Sequence, residues 1–257
     1  MDVATIVGLV VAMAAIFVSM ILEGGSPMSI FLIPPMLLVI VGTFGACMAG
    51  GTIPSMKTAF SWLAFAFRAK PSDPEEIVDP LVKMADKARR EGLLSLEAAI
   101  DEVEDPFMQR GLQMAVDGTD PDDLYDILMA EVRAKKASAA VGASFWTDAG
   151  GYAPTIGIVG TVMGLIHVLE NLSEPDKLGH LIAAAFVATL WGVLSANVFF
   201  LPWGKRIKYL AAMEAAKMEL VIDGVLAIQA GSNPRVVATK LRSKMTPAGP
   251  NVVAEAA

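Results

Sequence analysis

Basic residues are missing from the start of this 257-residue chain: no Lys or Arg precedes Lys57. Cysteine is reduced to one residue, Cys47, which excludes an intrachain disulfide and leaves no ligands for a cysteine-based zinc cluster. Histidine is scarce as well, with only His167 and His180, too few for a metal site. Charged residues make up 18% of the chain, where a soluble domain carries about 25%. Hydrophobic residues reach 54% and the mean hydropathy is +0.55, so an ordinary soluble domain is excluded. The net charge of -7 arises mainly in the middle, where seventeen acidic residues between Asp73 and Glu131 outnumber the basic ones. That balance excludes a nucleic-acid binder, which needs a basic surface. No glycine-rich loop follows a strand pattern, so no nucleotide site is supported. With no catalytic constellation either, the chain reads as neither an enzyme nor the carrier of a cofactor.

What is present is a set of apolar runs separated by two basic blocks. A hydrocarbon core needs about 20 apolar residues per helix, and four runs supply them: 3–22, 30–50, 149–169 and 181–203. The first run lacks a basic leader and exceeds a signal-peptide core, so it is expected to be a retained helix. Short turns at 23–29 and 170–179 join the runs into two antiparallel hairpins. The 23–29 turn holds no Lys or Arg and the 170–179 turn holds only Lys177, whereas 57–136 holds eleven and the chain after Trp203 eight. The positive-inside rule then places both termini and the long middle segment in the cytoplasm of a multi-pass cell-membrane protein. The predicted fold is all-α: a transmembrane hairpin over 1–56, a cytoplasmic helical domain over 57–147, a second hairpin over 148–204 and a cytoplasmic helical tail over 205–257. The tail is expected to be disordered from Thr246.

The middle segment carries repeated helix starts. Asp73-Pro74, Asp105-Pro106 and Asp120-Pro121 each place an Asp cap before a proline at the first helical position. Asp79-Pro80 is expected to interrupt or restart the first of these helices. Leu124, Ile127, Leu128 and Val132 keep a helical spacing, and the stretch 129–143 is expected to run on into the third span. A tail helix over about 207–231 is expected to prolong the fourth span and to stop at Gly231-Ser232-Asn233-Pro234.

The third span is rich in small residues: Gly150, Gly151, Gly157, Gly160 and Gly164, with Pro154 among them. Close helix packing accounts for this pattern; a proline-interrupted conduction path is the competing reading. Thr161 and, in the fourth span, Thr189 offer hydroxyl oxygens that a passing sodium ion could use as transient ligands. Thr161 lies thirteen residues after Asp148 and Thr189 thirteen before Pro202, so both sit about 20 Å from the cytoplasmic side. Each hydroxyl could instead bond a carbonyl one turn back. Asn197 is expected to make an interhelical hydrogen bond. The middles of all four runs contain no ionisable residue. A proton carrier needs a titratable group at depth, so a partner subunit should supply the carboxylate.

Three stretches resemble the A subunit of the bacterial flagellar motor stator, the MotA/PomA family. They are the 85–97 run Ala-Asp-Lys-Ala-Arg-Arg-Glu-Gly-Leu-Leu-Ser-Leu-Glu; the 151–165 run from Gly151-Tyr152-Ala153-Pro154 through Gly160-Thr161-Val162-Met163-Gly164-Leu165; and Ala188-Thr189-Leu190-Trp191-Gly192 with the 197–202 run ending in Pro202. The resemblance implies a five-membered ring of A subunits around B-type subunits that carry a membrane Asp and a peptidoglycan-binding domain. Cation influx would turn the ring and drive the rotor. It further implies that Pro154 and Pro202 couple ion passage to movement, and that Arg89 and Glu97 face the rotor's switch protein. Sodium-type relatives tend to have Thr at both positions matching Thr161 and Thr189, so sodium is favoured over the proton. Many members carry an acid three positions before the third-span proline. Here Gly151 stands there, and Asp148, a turn farther out, is the candidate for the cytoplasmic mouth. The alternatives are an ExbB/TolQ-like proton-driven energiser, expected to have three spans, and a non-motor membrane channel or scaffold.

Overall fold

The computed structural model describes residues 3–69 and 75–245, and among them the chain is helical throughout, with no strand. Helix α1 runs Val3–Leu22, a 3-10 turn covers Pro27–Ile30, and α2 runs Ile33–Ala49. Helices α3 (Ile53–Arg68), α4 (Glu75–Glu91), α5 (Glu97–Ile100) and α6 (Pro106–Val116) follow. Helix α7 extends over fifty residues, Pro121–Glu170. Helix α8 (Pro175–Leu194) passes through a π-helical segment, Ser195–Phe200, into α9 (Leu201–Gln229), and α10 (Pro234–Lys244) closes the described chain. Among the described residues two compact units result, one from 3–69 and 138–210, the other from 75–137 and 211–245.

The protein is an all-α multi-span membrane protein. Three helical stretches have the length and composition to cross a bilayer: α1, α7 and the continuous run from α8 to the end of α9. The second expected span, 30–50, is shorter than its sequence run. Helix α2 has seventeen residues, because the backbone before Ile33 is a 3-10 turn ending at Ile30 and Leu32 is extended. Pro34 and Pro35 fall in the first turn of α2, where the missing N–H groups have no partner to lose.

In the first unit an aromatic cluster fixes α2, α3 and α7. Trp146 is 1% exposed and its indole N–H donates to the Ala59 carbonyl at 3.1 Å. Phe44, Phe60, Phe145, Phe200 and Trp203 surround it with ring centroids 5.0–6.1 Å away. Trp191 of α8 donates to the Ile30 carbonyl at 2.7 Å, which ties α8 to the end of the 3-10 turn. Helix α3, expected within the water-facing segment, belongs to this unit, with Ala59 and Ala66 buried. Its start is secured by a capping box of Thr52 and Ser55.

The second unit encloses its own apolar core. Leu81 and Ala85 of α4, Leu112 of α6, Leu124 and Leu128 of α7, Val221 and Val225 of α9 and Leu241 of α10 are all buried in it. Asp105 caps α6 by accepting from the N–H groups of Phe107 (2.9 Å) and Met108 (3.2 Å), and Asp120 accepts from Asp122 at 2.9 Å. The expected start at Asp73-Pro74 lies outside the described residues, as does the tail from Thr246. Pro80 neither stops nor restarts its helix: α4 continues through it to Glu91. Only the bond from residue 80 to the Glu76 carbonyl is lost, while Ile77, Val78 and Leu81 stay buried around it. Helices α7 and α9 run on as expected. Gly231, at φ 66°, ends the second of them with the N–H of Ser232 returning to the Ala227 carbonyl at 3.0 Å.

Candidate functional site

Small residues on α7 and α8 face each other at matched spacing. Gly157, Gly160 and Gly164 lie on one stripe of α7; Ala185, Ala188 and Gly192 lie on the opposing stripe of α8. A Cβ at Gly164 would sit 2.5 Å from that of Ala185, and one at Gly160 would sit 2.7 Å from that of Ala188. A Cβ at Gly192 would fall 2.6 Å from the Ala153 carbonyl and 3.2 Å from Cα of Pro154. The two backbones therefore approach as closely as glycine permits, as small-residue stripes allow in membranes. The outer face of α7, with Ile158, Val162 and Ile166, is exposed.

Thr161 and Thr189 meet on this seam. Their hydroxyls are in direct hydrogen-bond contact. Thr161 Oγ1 also lies 3.2 Å from the carbonyls of Gly157 and Ala185, and Thr189 Oγ1 lies 3.3 Å from that of Gly157. Four oxygens thus share two hydroxyl protons, both side chains being half-buried. The Thr161–Gly157 bond is the one-turn-back bond of an ordinary membrane threonine. Thr189 reaches across the seam and not back along its own helix.

Pro154 sits inside α7, half-buried beside Gly192, and deprives the Gly150 carbonyl of its ladder donor. Pro202 is exposed and lies one residue beyond Leu201, which caps the π-helical segment and whose N–H reaches the Ala196 carbonyl five residues back. The structure therefore places the two prolines in different surroundings. Asn197 does not bridge helices: its amide donates to the Val193 carbonyl of its own helix at 2.9 Å, and the side chain is exposed. Asp148 is exposed and lines a cavity with Cys47, Ser55, Ser144 and Tyr152.

Arg89 lies in the last turn of α4 and Glu97 opens α5, both exposed, separated by Gly92 at φ 87° and a 3-10 turn over Leu93–Leu96. No ion pair joins either to another described residue. Leu94, 71% exposed, stands between them. Among the described residues no group of three His, Cys, Asp or Glu could hold a metal.

Residues 99–220 match the MotA/TolQ/ExbB proton channel family, and residues 6–92 match the motility protein A N-terminal family. Motility protein A of Bacillus subtilis is 37% identical over 94% of this chain and 90% of its own. The chain belongs to the MotA/PomA flagellar stator family. The MotA/PomA relatives include chemotaxis protein PomA of Vibrio alginolyticus, 32% identical over 95% of each chain. The fold agrees: the chain superimposes on a chain of Campylobacter jejuni MotAB with a TM-score of 0.92, at 30% identity over 97% of this chain and 98% of that one. A chain of the flagellar MotAB stator complex of B. subtilis gives 0.88, at 36% identity over 95% and 96%. MotA/PomA membership makes this an ion-channel-type chain and not an enzyme.

The α8 half of the seam and the π-helical segment escaped the sequence reading. The first had a signal, since Ala185, Ala188 and Gly192 repeat the three-and-four spacing of the α7 glycines. The second had none beyond the proline that follows it.

Proposed function

We propose that the chain is the ring-forming A subunit of a flagellar stator, which conducts a monovalent cation with a B-type partner and passes torque to the rotor. The observation that supports it most is the near full-length likeness to chains of two MotAB complexes in a protein whose apolar helices hold no central carboxylate. The partner would supply that carboxylate, and a B-type subunit anchored to peptidoglycan would hold it against the turning ring of five. Helix α2 would be a fourth span: seventeen residues reach about 25 Å at 1.5 Å each, the low end of what crosses a bilayer. Both termini would be cytoplasmic. In this reading Arg89 and Glu97 contact the rotor's switch protein, and Pro154 and Pro202 couple ion passage to movement. The motility-type match over 6–92 favours this reading over an ExbB/TolQ-like energiser.

Sodium is the proposed coupling ion. It must exchange hydration waters for oxygen ligands, and the Thr161–Thr189 cluster gathers four oxygens at one place on the seam. The proton is the second reading. It is favoured because both hydroxyls already have acceptors within the helix pair and because the matching family is described as one of proton channels. Rotation measured at fixed membrane potential, with sodium replaced by potassium at constant ionic strength, separates the two. Speed should fall as sodium is withdrawn, and Thr161→Ala should raise the sodium concentration for half-maximal speed more than Thr161→Ser. Unchanged speed assigns the proton. A strain that swims normally without this chain and without any other stator set would remove the stator reading itself.

A further inference from the structure

The second unit holds a cavity of about 920 Å³ bordered by α4, α6, α7 and α9, in the upper part of the about 300–1,000 Å³ range of small-ligand sites. Part of its lining is apolar: Pro80 and Met84 of α4 and Val103 are half-buried, and Phe107, Met108 and Met218 are buried. Thioethers adapt to irregular apolar shapes. The charged lining divides in two. Around α6, α7 and α9 it neutralises itself: Lys217 pairs with Asp105 at 2.8 Å, Lys135 with Glu214 at 2.8 Å, and Arg110 with Glu131. Glu214 and Glu76 also act on Lys217. The rest is unpaired. Lys83 and Lys87, one turn apart on α4, make no ion pair or hydrogen bond with another described residue. The same holds for Glu102 and Glu104, in the 101–105 link from α5 to α6. A single free lysine on a solvated face would need no explanation. Here two lysines and two carboxylates border one partly apolar cavity without pairing, while every other cation of its lining holds a carboxylate.

We infer that this cavity binds a small zwitterion with an apolar body, of the class of a short apolar peptide with free ends, its carboxylate at Lys83 and Lys87 and its ammonium at Glu102 and Glu104. The lining as a whole holds six acidic and five basic residues, so neither sign of ligand is favoured by the total. A plain anion would gain the two lysines and meet the two free carboxylates; a plain cation would meet the reverse. A ligand carrying both charges satisfies both, and its apolar middle leaves water for the thioethers and Val103. The site lies within the second unit and stands whichever ion crosses the Thr161–Thr189 seam.

The experiment is calorimetry of the full chain, purified with its partner into lipid nanodiscs, with empty nanodiscs as the blank. The probes are trileucine, its N-acetyl form and its C-terminal amide. Trileucine should bind, and blocking either end should weaken binding about fivefold, the upper end for an exposed ion pair. Lys83→Gln with Lys87→Gln should erase the advantage of the free carboxylate and keep that of the free amine. Glu102→Gln with Glu104→Gln should do the converse. The advantage that each variant keeps shows that its cavity is intact. Should a variant fail to fold, the two blocked peptides on the unaltered chain still decide. No binding above the blank, blocked peptides that bind as tightly as the free one, or an advantage that survives its matching substitutions would each overturn the site.

Discussion

Asp105 carries two duties at one carboxylate. It caps α6, and it pairs with Lys217 at 2.8 Å, both side chains being largely withdrawn from water. Burial pushes its carboxyl upward, but the hydrogen bond and charge of Lys217, with the Met108 and Phe107 N–H groups, outweigh that and hold it below the usual carboxylate range. Lys217 is the converse: burial lowers it, and Asp105, with Glu214 and Glu76, raises it on balance. A depressed carboxylate adds stability that is present above its unfolded pKa and disappears as pH falls through the lower folded value. A raised lysine adds stability that is present below its unfolded pKa and disappears as pH rises through the higher folded value. Stability of the second unit should therefore hold a plateau between these limits. Asp105→Asn, which keeps a capping oxygen, should flatten the acid limb of the curve. Asp105→Ala should cost about 1 kcal/mol for the cap alone and speed amide exchange at Phe107 and Met108. Both are read by hydrogen exchange against pH, and an unchanged acid limb in the Asn variant would remove the pair from the account.

At the scale of elements, the α7–α8 seam is where packing tolerance is least. Gly164→Leu has to displace Ala185, whose Cα would lie 2.9 Å from the new Cβ. Such overpacking costs about 1–3 kcal/mol, so the unfolding midpoint of the purified complex should fall by several degrees. Gly8→Leu on α1 meets nothing within 4 Å and should leave the midpoint within the scatter of surface changes. Equal effects would mean the seam does not hold the helices. Much of this level was legible beforehand. The apolar run expected to end at Leu22 is helical through Leu22, because Glu23 and Gly24, the latter at positive φ, stop it there. Asp105-Pro106 and Asp120-Pro121 announced α6 and α7 through chemistry confined to four residues. Helix α8 begins at Pro175, inside what read as a polar turn, because the charged residues of a helix end resemble those of a loop. Pro80 misled in the opposite sense: residue type alone overstates a break when buried neighbours on both sides hold the helix together.

For the whole molecule, the proposed torque contact is the part that local physics underdetermines. Arg89 and Glu97 are exposed charges on either side of a glycine turn, indistinguishable by burial from a solvated face. Only the family motif around them singled them out. If they engage complementary charges on the rotor, reversing either should weaken torque in proportion to an exposed pair worth about 0.2–1 kcal/mol. Membrane insertion and complex assembly should be unchanged. The double variant Arg89→Glu with Glu97→Lys, followed across a range of loads by bead rotation, should lose torque first at high load. Full torque at every load would place the rotor contact elsewhere. The threonine pair shows the complementary case. Counting residues from Asp148 and Pro202 put both hydroxyls at one depth, and the structure joins them; the carbonyls they also meet come from seam packing, which a linear count cannot contain.

None of α1's apolar length is buried against the rest of the chain, whereas α2 is shorter and begins behind two prolines. This difference bears on the order of events at the ribosome. The translocon releases a segment into lipid according to its own partition free energy, in which each central Leu, Ile, Phe or Val contributes about -0.3 to -0.6 kcal/mol. Helix α1 meets that criterion unaided as soon as it emerges. Helix α2, with fewer residues and a proline-bearing entrance, gains most by entering as the second arm of a hairpin whose first arm already lies in the bilayer. The N-terminal helix, which touches the end of the Pro27–Ile30 turn through Phe17 and Phe31 but has no fully buried residue over Thr5–Leu22, would thus act during synthesis as the anchor that commits its neighbour to the membrane.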